Sequence, residues 1–249
     1  MRDYAKELRL RAEWIRGVLR RAGADGIVYG NSGGKDSTLV GILCRQACDN
    51  TLGVILPCQS GRNYGEDRED AIAAAEQYGI ATAEVDLSEV KEALLRAVQP
   101  VAIMERPANA NIAPRLRMTA LYALAQSRNS LVAGTGNRSE SYVGYFTKWG
   151  DGACDFNPIA DLTVSEIYEF LRYLKAPAHI LEKAPSAGLY EGQTDEREMG
   201  VSYRAIDNYL MKGTGKEREL DRIRALHEKS LHKRQPIPVF AGVEGGDQR

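Results

Sequence analysis

Short apolar segments alternate with amphipathic helical segments over the first half of the chain. The apolar segments predict strands at residues 26–30, 51–57, 80–87 and 130–136. The segments between them predict helices at residues 34–48, 66–79, 88–99 and 112–129. A helix between two strands carries the chain back along the sheet, so that consecutive strands run parallel. The sequence therefore predicts an α/β fold built on a doubly wound parallel sheet, as in Rossmann-like proteins.

The pattern changes after residue 163 and becomes mostly helical. The segments TVSEIYEFLRYL, GVSYRAIDNYLM and KERELDRIRALHEKSLHK all show the spacing of amphipathic helices. No internal repeat, low-complexity segment or long linker interrupts the 249 residues. We therefore expect residues 1–249 to form a single domain with a helical C-terminal part.

Composition and charge argue against several classes of protein. The net charge of −1 gives no sign of a nucleic-acid partner. No apolar run approaches the ~20 residues of a membrane span, and the charged N-terminal segment is typical of an amphipathic helix rather than of a signal peptide. The four cysteines lack the spacing of a complete metal site. We expect a cytoplasmic protein with neither a nucleic-acid nor a membrane partner.

The segment GNSGGKDS, residues 30–37, connects the first predicted strand to the following helix. In doubly wound folds, ligands bind at the edge of the sheet where such connections lie. Glycines let the backbone amides turn toward an anion, and the N-terminus of the helix adds partial positive charge. This junction therefore predicts an anion site, most simply for a phosphate group.

Two common phosphate loops do not fit this segment. Dinucleotide-binding loops need G-x-G-x-x-G, and the three glycines of residues 30–34 are not spaced in that way. A P-loop needs G-x-x-x-x-G-K-[ST], but Tyr29 stands in place of the first glycine and Asp36 follows Lys35. What remains is Ser-Gly-Gly-x-Asp-Ser over residues 32–37. It resembles the loop of the ATP-pyrophosphatase superfamily (adenine nucleotide alpha hydrolase-like), whose members cleave ATP between its α- and β-phosphates.

The chemistry of the loop suits pyrophosphate as a leaving group. The amides of Gly33 and Gly34 and the hydroxyls of Ser32 and Ser37 can donate hydrogen bonds to phosphate oxygens. Asp36 would repel phosphate directly, so we expect a Mg²⁺ ion between the carboxylate and the nucleotide.

Longer segments resemble one branch of that superfamily, the ammonia-dependent NAD synthetases. The segment 133–163, AGTGNRSESYVGYFTKWGDGACDFNPIADLT, is similar to the signature region of that family. Residues 111–118, 184–203 and 232–236 are similar to further family segments, in the same order. The resemblance implies a ligase that amidates deamido-NAD (nicotinate adenine dinucleotide) to NAD, the last step of NAD biosynthesis. ATP would adenylate the nicotinate carboxylate and release pyrophosphate, and ammonia would then displace AMP.

The resemblance also implies roles for individual residues. The residues expected to contact ATP are Gly30, Asn31, Ser32, Gly33, Gly34, Lys35, Asp36, Ser37, Thr135 and Ser186. Mg²⁺ would be held by Asp36 and Glu140. The residues expected to bind deamido-NAD are Arg115, Lys148, Asp155, His232 and Lys233. Asp36 and Asp155 would be catalytic, with Asp155 as a hypothetical proton acceptor from ammonium. Some of these residues come from the neighbouring subunit in the family, so the resemblance implies a homodimer.

Taken alone, several of these residues allow simpler interpretations. Arg115 is also typical of a solvated helix surface, and Glu140 of the start of an exposed helix. Lys148 beside Trp149 is compatible with a surface cation–π pair, and the segment 232–234 with a solvated basic tail. Only the phosphate loop is supported by its own chemistry.

One position departs from the family. Many members carry a lysine after the last residue of the ADLT segment, where this chain has Val164. That lysine contacts a nucleotide phosphate in relatives, so one charge contact is absent here. Lys35, inside the loop, is a candidate to replace it.

The source of nitrogen follows from the position of the phosphate loop. The loop begins at residue 30, which leaves no room before it for the glutamine-hydrolysing domain of some NAD synthetases. We expect free ammonia to be the donor, unless a separate amidotransferase subunit supplies it.

Two other functions remain open on the sequence. Another ATP-pyrophosphatase, either a GMP-synthetase-like amidating enzyme or a tRNA-thiolating enzyme, would share residues 30–37. A nucleotide-binding sensor of the same fold would bind ATP without turnover, although it has less need of two metal carboxylates.

Overall fold

The parallel sheet predicted from the sequence is present in a computed structural model, which describes residues 2–59, 64–183 and 194–240. Within these residues, four parallel strands pair in the spatial order β3-β2-β1-β4. Their bounds are β1 Gly26–Gly30, β2 Thr51–Ile55, β3 Ala81–Glu84 and β4 Ser130–Ala133. Ile27 lies opposite Thr51 on one side of β1 and opposite Leu131 on the other. The fold class is therefore confirmed.

The strands other than β1 are shorter than predicted, and proline and glycine explain this for β2 and β4. β2 ends before Pro57, and β4 ends before the run Gly134–Gly136. Proline has no N–H to donate to a ladder, and glycine allows the backbone to turn away from the sheet. The residues beyond these strand ends therefore become loops at the carboxyl edge of the sheet, where ligands bind.

Helices cover both faces of the sheet and continue beyond it. Those that precede β4 are α1 Tyr4–Ala22, α2 Lys35–Ala47, α3 Glu66–Gln77, α4 Ser88–Val98, α5 Arg106–Ala110 and α6 Ile112–Ser127. Those that follow β4 are α7 Arg138–Val143, α8 Val164–Tyr173, α9 Ala178–Glu182, α10 Asp195–Met199, α11 Tyr203–Lys212 and α12 Glu217–Lys229, with a 3₁₀ turn at Leu231–Lys233. The predicted helical C-terminal part is confirmed. Among the helices of the described residues, none is long and apolar enough to span a membrane.

Alternate side chains of β1 enter two separate cores. Ile27 and Tyr29 pack on one face with residues of α1, α2 and α8. Val28 packs on the other face, where the core includes Ala113 and Ala125 of α6. Because successive strand residues point to opposite faces, this arrangement requires helices on both sides of the sheet. A third cluster, which contains Val164, joins the C-terminal helices to one another.

Tyr29 sets the distance between α2 and the sheet. Its ring is almost fully buried, at 1% exposure, and it fills the space above two glycines. A Cβ atom at Gly41 of α2 would lie 2.3 Å from the Tyr29 hydroxyl, and one at Gly53 of β2 would lie 2.9 Å from it. The absence of side chains at both positions therefore allows α2 to pack close to the strands.

Substitution of Gly41 by alanine tests this close approach. We expect Gly41→Ala to lower the free energy of unfolding by about 1–3 kcal/mol, because the new methyl group overpacks a rigid contact. Denaturant unfolding measures the change. Gly17→Ala on α1 is the control, since a Cβ there would meet only the mobile ends of Arg21 and Arg20. It should be neutral or stabilise the helix by about 0.5–1 kcal/mol. Equal losses in the two variants would contradict the proposed packing role of Tyr29.

Candidate active site

A cavity of about 430 Å³ opens at the carboxyl edge of the sheet. Its walls come from the ends of β1, β2 and β4, from α6 and from the turn over residues 144–153. A volume in this range suits a nucleotide-sized ligand. The predicted loop residues on its wall are Gly30, Asn31, Ser32, Gly34, Lys35, Asp36 and Ser37. Thr135 also lines the cavity, as expected from its place after β4.

The loop itself is held by hydrogen bonds between its own residues. The Ser37 hydroxyl donates to the Gly34 carbonyl at 3.0 Å and accepts from the Ser32 amide at 3.3 Å. No side chain of the described residues caps α2 at Gly34, so the first amides of the helix are not occupied by a cap. This is the arrangement in which a helix N-terminus binds an anion.

Gly33 makes the turn that places these amides. Its φ is +70°, a region that side chains other than glycine rarely adopt. A Cβ atom there would lie only 2.2 Å from the Asp67 carbonyl oxygen of α3. Gly33 therefore fixes the loop against α3, whereas its neighbours face the cavity.

Asn31 anchors the other end of the loop. Its backbone amide donates to the Val54 carbonyl at 2.8 Å, and its side-chain amide donates to the Ala71 carbonyl at 2.9 Å. The buried Asn31 Oδ1 has no hydrogen-bond partner within the described part of the chain. Asn31 thus ties the phosphate loop to β2 and to α3.

The two carboxylates predicted to hold a metal are linked through one asparagine. The Asn137 side chain donates to Asp36 Oδ1 at 3.1 Å. Asn137 also caps α7, because its backbone amide donates to Glu140 Oε2 at 3.2 Å and its side-chain oxygen accepts from the Glu140 amide at 2.9 Å. The structure therefore brings Asp36 and Glu140 together, from the first turns of the helices that follow two neighbouring strands.

This acidic pair is electrostatically costly. Burial of Glu140, followed by repulsion from Asp36, raises the pKa of the Glu140 carboxyl to about 8. Lys35 opposes that shift. Burial disfavours charge on Lys35 too, but Asp36 and Glu140 outweigh it and raise the pKa of the amine. The pair is thus a place where an added cation would be stabilised.

The donor set fits magnesium that is shared with a nucleotide. No group of three or more His, Cys, Asp or Glu side chains is placed to hold a metal ion among residues 2–59, 64–183 and 194–240. Mg²⁺ commonly uses one or two protein carboxylates and completes its shell with water and phosphate oxygens. Asp36 and Glu140, beside an anion-binding loop, match that pattern.

Four of the residues expected to bind deamido-NAD lie near one another. Lys148 donates through Nζ to the His232 carbonyl at 2.7 Å, and Arg115 donates through Nε to the Lys148 carbonyl at 3.4 Å. Lys233 lines the cavity and donates to the carbonyls of Gly144 and Phe146. Lys148 also lies 5.5 Å from the centre of the Trp149 ring. The basic segment near the C-terminus is therefore packed against the cavity wall.

Asp155 is placed differently from the other predicted site residues. It is exposed and lies beside the outer edge of β4, where Phe156 forms a parallel bridge with Ala133. Its carboxylate accepts from the Val132 amide at 2.7 Å and from the Tyr122 hydroxyl at 3.2 Å. The cavity wall is built from other residues. Ser186, the remaining predicted residue, lies outside the described residues.

Comparison with known proteins identifies the family. The NAD synthase family matches residues 7–237 of the chain. The chain belongs to the NAD synthase family. The NH(3)-dependent NAD(+) synthetase of Carboxydothermus hydrogenoformans is 47% identical over 225 residues, which cover 89% of this chain and 91% of that protein. The sequence predicted a ligase of the ammonia-dependent NAD synthetase type, and this prediction is confirmed.

Solved structures share the whole fold with this NAD synthase family member. The NMN synthetase from Francisella tularensis superposes with a TM-score of 0.91 and 36% sequence identity, covering 97% of this chain and 100% of that chain. The NH3-dependent NAD synthetase from Campylobacter jejuni gives a TM-score of 0.80 and 27% identity, covering 96% and 100% of the two chains. The similarity extends over the sheet and the C-terminal helices.

Among the charged residues of the cavity wall that sequence reasoning missed are Arg117, Asp151 and Lys183. Arg117 donates through Nε to the Leu56 carbonyl at 2.9 Å, and burial lowers the pKa of its guanidinium. Asp151 accepts from the Thr147 amide at 3.0 Å, and desolvation of its carboxyl group raises the pKa of that group despite this hydrogen bond. Lys183, the third, is close to two acidic side chains of α3.

A simple signal could have found one of these three. Residues two apart on a helix point to different faces. Arg115 and Arg117 lie on α6, so an exposed Arg115 places Arg117 toward the interior. Asp151 and Lys183 gave no such signal, because their positions depend on turns that follow no periodic pattern.

Substitution of Gly33 tests the phosphate loop. We expect Gly33→Ala to weaken ATP binding by about tenfold or more, equal to about 1.4 kcal/mol, because the loop must move off α3. Titration calorimetry measures the affinity. Gly79→Ala is the control, since Gly79 also has positive φ, at +64°, but a Cβ there would meet nothing within 4 Å. That variant should lose about 1–2 kcal/mol of stability from the left-handed backbone and keep its ATP affinity. Parent-like ATP binding by Gly33→Ala would refute the role of the turn.

Proposed function

We propose that this chain amidates deamido-NAD to NAD with ATP and ammonia, through an adenylated carboxylate, and releases AMP and pyrophosphate. One observation carries the proposal. The loop over residues 32–37 and the linked carboxylates of Asp36 and Glu140 face the same cavity as Lys233. The proposed phosphate site, the proposed metal site and the proposed basic contact to the substrate would therefore share one cavity.

The first half of the reaction depends on the phosphate loop. The uncapped amides of α2 and the hydroxyl of Ser32 would stabilise the negative charge that develops on the departing pyrophosphate. The Ser37 hydroxyl would add to this once it leaves the Gly34 carbonyl. Asp36 and Glu140 would hold Mg²⁺, which supplies positive charge to the nucleotide phosphates when it is bound. Arg117, on the cavity wall, offers a further cation for nucleotide or carboxylate groups. Together these groups favour transfer of AMP over loss of a single phosphate.

The second half requires neutral ammonia, which forms when ammonium loses a proton. A free carboxylate is a poor electrophile, and adenylation gives it AMP as a leaving group. Ammonia attacks only as the neutral molecule, so a nearby base would help. We propose Asp155 for that role, together with a contact to deamido-NAD. Its exposure at the edge of β4 leaves its carboxylate accessible to a substrate that lies between two subunits.

The proposed homodimer has support on the surface. Val90 and Leu94, four residues apart on α4, are both exposed. In the segment that follows, the exposed fractions of Val101 and Ile103 are 86% and 94%. Apolar side chains that are clustered and solvent-exposed commonly mark an interface. Residues of both subunits would then contribute to each site, as the family resemblance implies.

We also propose a cytoplasmic location and a single domain over residues 1–249. All four cysteines are free in the structure, as expected in a reducing compartment. α8 packs both with α2 in the core beside the sheet and with the C-terminal helices, which favours one continuous unit.

The substrate has a second candidate. The solved structure with the TM-score of 0.91 is an NMN synthetase. By its name that protein makes a mononucleotide, and the acid that yields it by amidation is nicotinate mononucleotide. The reaction at the carboxylate is the same for both acids, so the size of the bound acid separates the two candidates.

The proposed function predicts a defined set of products. Incubation with ATP, Mg²⁺, ammonium and deamido-NAD should yield NAD, AMP and pyrophosphate in equal amounts. Parallel reactions with nicotinate mononucleotide and with xanthosine monophosphate test the second candidate and a GMP-synthetase-like activity. Asp36→Asn is the matched control and should lose turnover by about 100-fold or more, as for loss of a transition-state contact. Release of orthophosphate and ADP would refute the mechanism, and ATP binding without turnover of any acid would indicate a sensor.

Asp155→Asn tests the proposed base separately. The amide keeps the shape but accepts protons poorly, so kcat should fall by about 100-fold, within the range for loss of a general base, while ATP affinity stays unchanged. Tyr122→Phe is the control, because it removes the hydrogen bond to Asp155 and leaves the carboxylate in place. Equal losses of turnover and of ATP affinity in Asp155→Asn would show that the carboxylate only supports the edge of β4.

A further inference from the structure

Lys35 is buried beside the two carboxylates proposed to hold the metal. The residue is only 7% exposed, although lysine is rarely buried without a partner. Its Nζ lies 2.7 Å from Asp36 Oδ2 and 5.5 Å from the centre of the Tyr203 ring. The ammonium is therefore held inside the site rather than extended into solvent.

The surroundings of Lys35 are strongly acidic. Asp36 and Glu140 both stabilise its positive charge. The Tyr203 hydroxyl lies 3.5 Å from Glu140 Oε1 and donates to Asp195 Oδ2 at 3.0 Å, so a third buried carboxyl group belongs to the same network. Such a cluster is unstable without a cation, because buried charges are tolerated only when they are paired.

We propose that Lys35 is an internal counter-ion of the Asp36–Glu140 pair, which a divalent cation must displace in order to bind. The inference rests on the proposed function in one respect, namely that Asp36 and Glu140 are the metal carboxylates. Lys35 neutralises the acidic pair when no metal is bound. The metal and the ammonium then compete for Asp36 Oδ2.

The properties of lysine suit this exchange. Its charge sits at the end of a flexible four-carbon stem, so the ammonium can leave Asp36 without moving the backbone of the loop. The face of the Tyr203 ring already lies near the ammonium and stabilises it by a cation–π interaction. Lys35 also lines the cavity, so a nucleotide phosphate can become its new partner.

This exchange makes metal and nucleotide binding cooperative. Without nucleotide, the metal must separate an ion pair and leave the ammonium with a weaker partner. With nucleotide, the displaced ammonium pairs with phosphate, which offsets the free energy lost when the ion pair between Lys35 and Asp36 separates. By linkage, the metal must strengthen nucleotide binding by the same factor.

Metal binding in the absence of nucleotide tests the proposal, with Mn²⁺ as the probe. The free Mn²⁺ signal in electron paramagnetic resonance gives the dissociation constant for the full chain. We expect Lys35→Gln to bind Mn²⁺ about tenfold more tightly than the parent, equal to about 1.4 kcal/mol. Lys35→Arg, which keeps the charge, should bind Mn²⁺ much as the parent does. An unchanged or weaker affinity in Lys35→Gln would overturn the proposal.

Two further variants show whether a change in Mn²⁺ affinity comes from the counter-ion role of Lys35 or from another cause. Lys91→Gln is the matched control, because Lys91 of α4 is also 7% exposed but is not part of the acidic network around Asp36. It should bind Mn²⁺ with parent-like affinity. Asp36→Asn should lose Mn²⁺ binding. If it binds as tightly as the parent, the proposed metal site is wrong. If it loses binding while Lys35→Gln is unchanged, only the counter-ion role is wrong.

A measurement on the unsubstituted protein covers the case in which Lys35→Gln does not fold. In protein labelled with ¹⁵N-lysine, the buried ammonium gives its own nuclear magnetic resonance signal, which is assigned by its loss in Lys35→Arg. Addition of Mg²⁺ should shift that signal, because the ammonium changes its partner. A signal that stays in place at saturating Mg²⁺ would overturn the exchange.

Discussion

The site is assembled by the hydrogen bonds of Asn137. Through its side chain it holds Asp36, which lies 101 residues earlier in the chain, and through both side chain and backbone it holds Glu140. Asn137 is itself fully buried at the start of α7. Two carboxylates from the first turns of α2 and α7 repel each other, and this fixed neutral bridge holds them close together. The loop over residues 32–37 and the end of β4 thereby become parts of one cavity.

Lysine and aspartate side chains around that cavity form ion pairs with one another. Lys183 lies 2.6 Å from Asp67 and also contacts Asp70, which ties the residue after α9 to the start of α3. α3 in turn receives Asn31 and lies against Gly33 of the loop. The ion pairs that involve Lys35 and Lys183 thus border the loop on two sides. The loop can present its amides to an anion because neighbouring lysines satisfy the acidic groups around it.

The sequence was sufficient to predict the framework and the positions of several candidate site residues. The predicted strand at residues 26–30 has the same bounds as β1, because glycine marks both of its ends. The position of the phosphate loop followed from that strand and from the chemistry of Ser32, Gly33 and Gly34. The convergence of Asp36 and Glu140 also followed, since neighbouring parallel strands end at the same edge of a sheet.

Most of the remaining details depended on contacts between residues that are distant in sequence, which a local pattern does not predict. Lys35 turns inward under Tyr203, a residue that is 168 positions later in sequence and reaches the site only through packing of the C-terminal helices. Asp155 is close to the site in sequence, yet it turns to the backbone of β4 because the Val132 amide at the edge of the sheet needs an acceptor. Val164 is buried in the third core.

That contact at the edge of β4 limits how two copies of the chain can meet. An open edge strand offers free amides on which a second sheet can extend. Here the carboxylate of Asp155 occupies the Val132 amide, and the bridge between Ala133 and Phe156 occupies the next position. This end of the strand is closed to growth of the sheet. A sheet that continues into a second copy of the chain therefore cannot start from this end of β4.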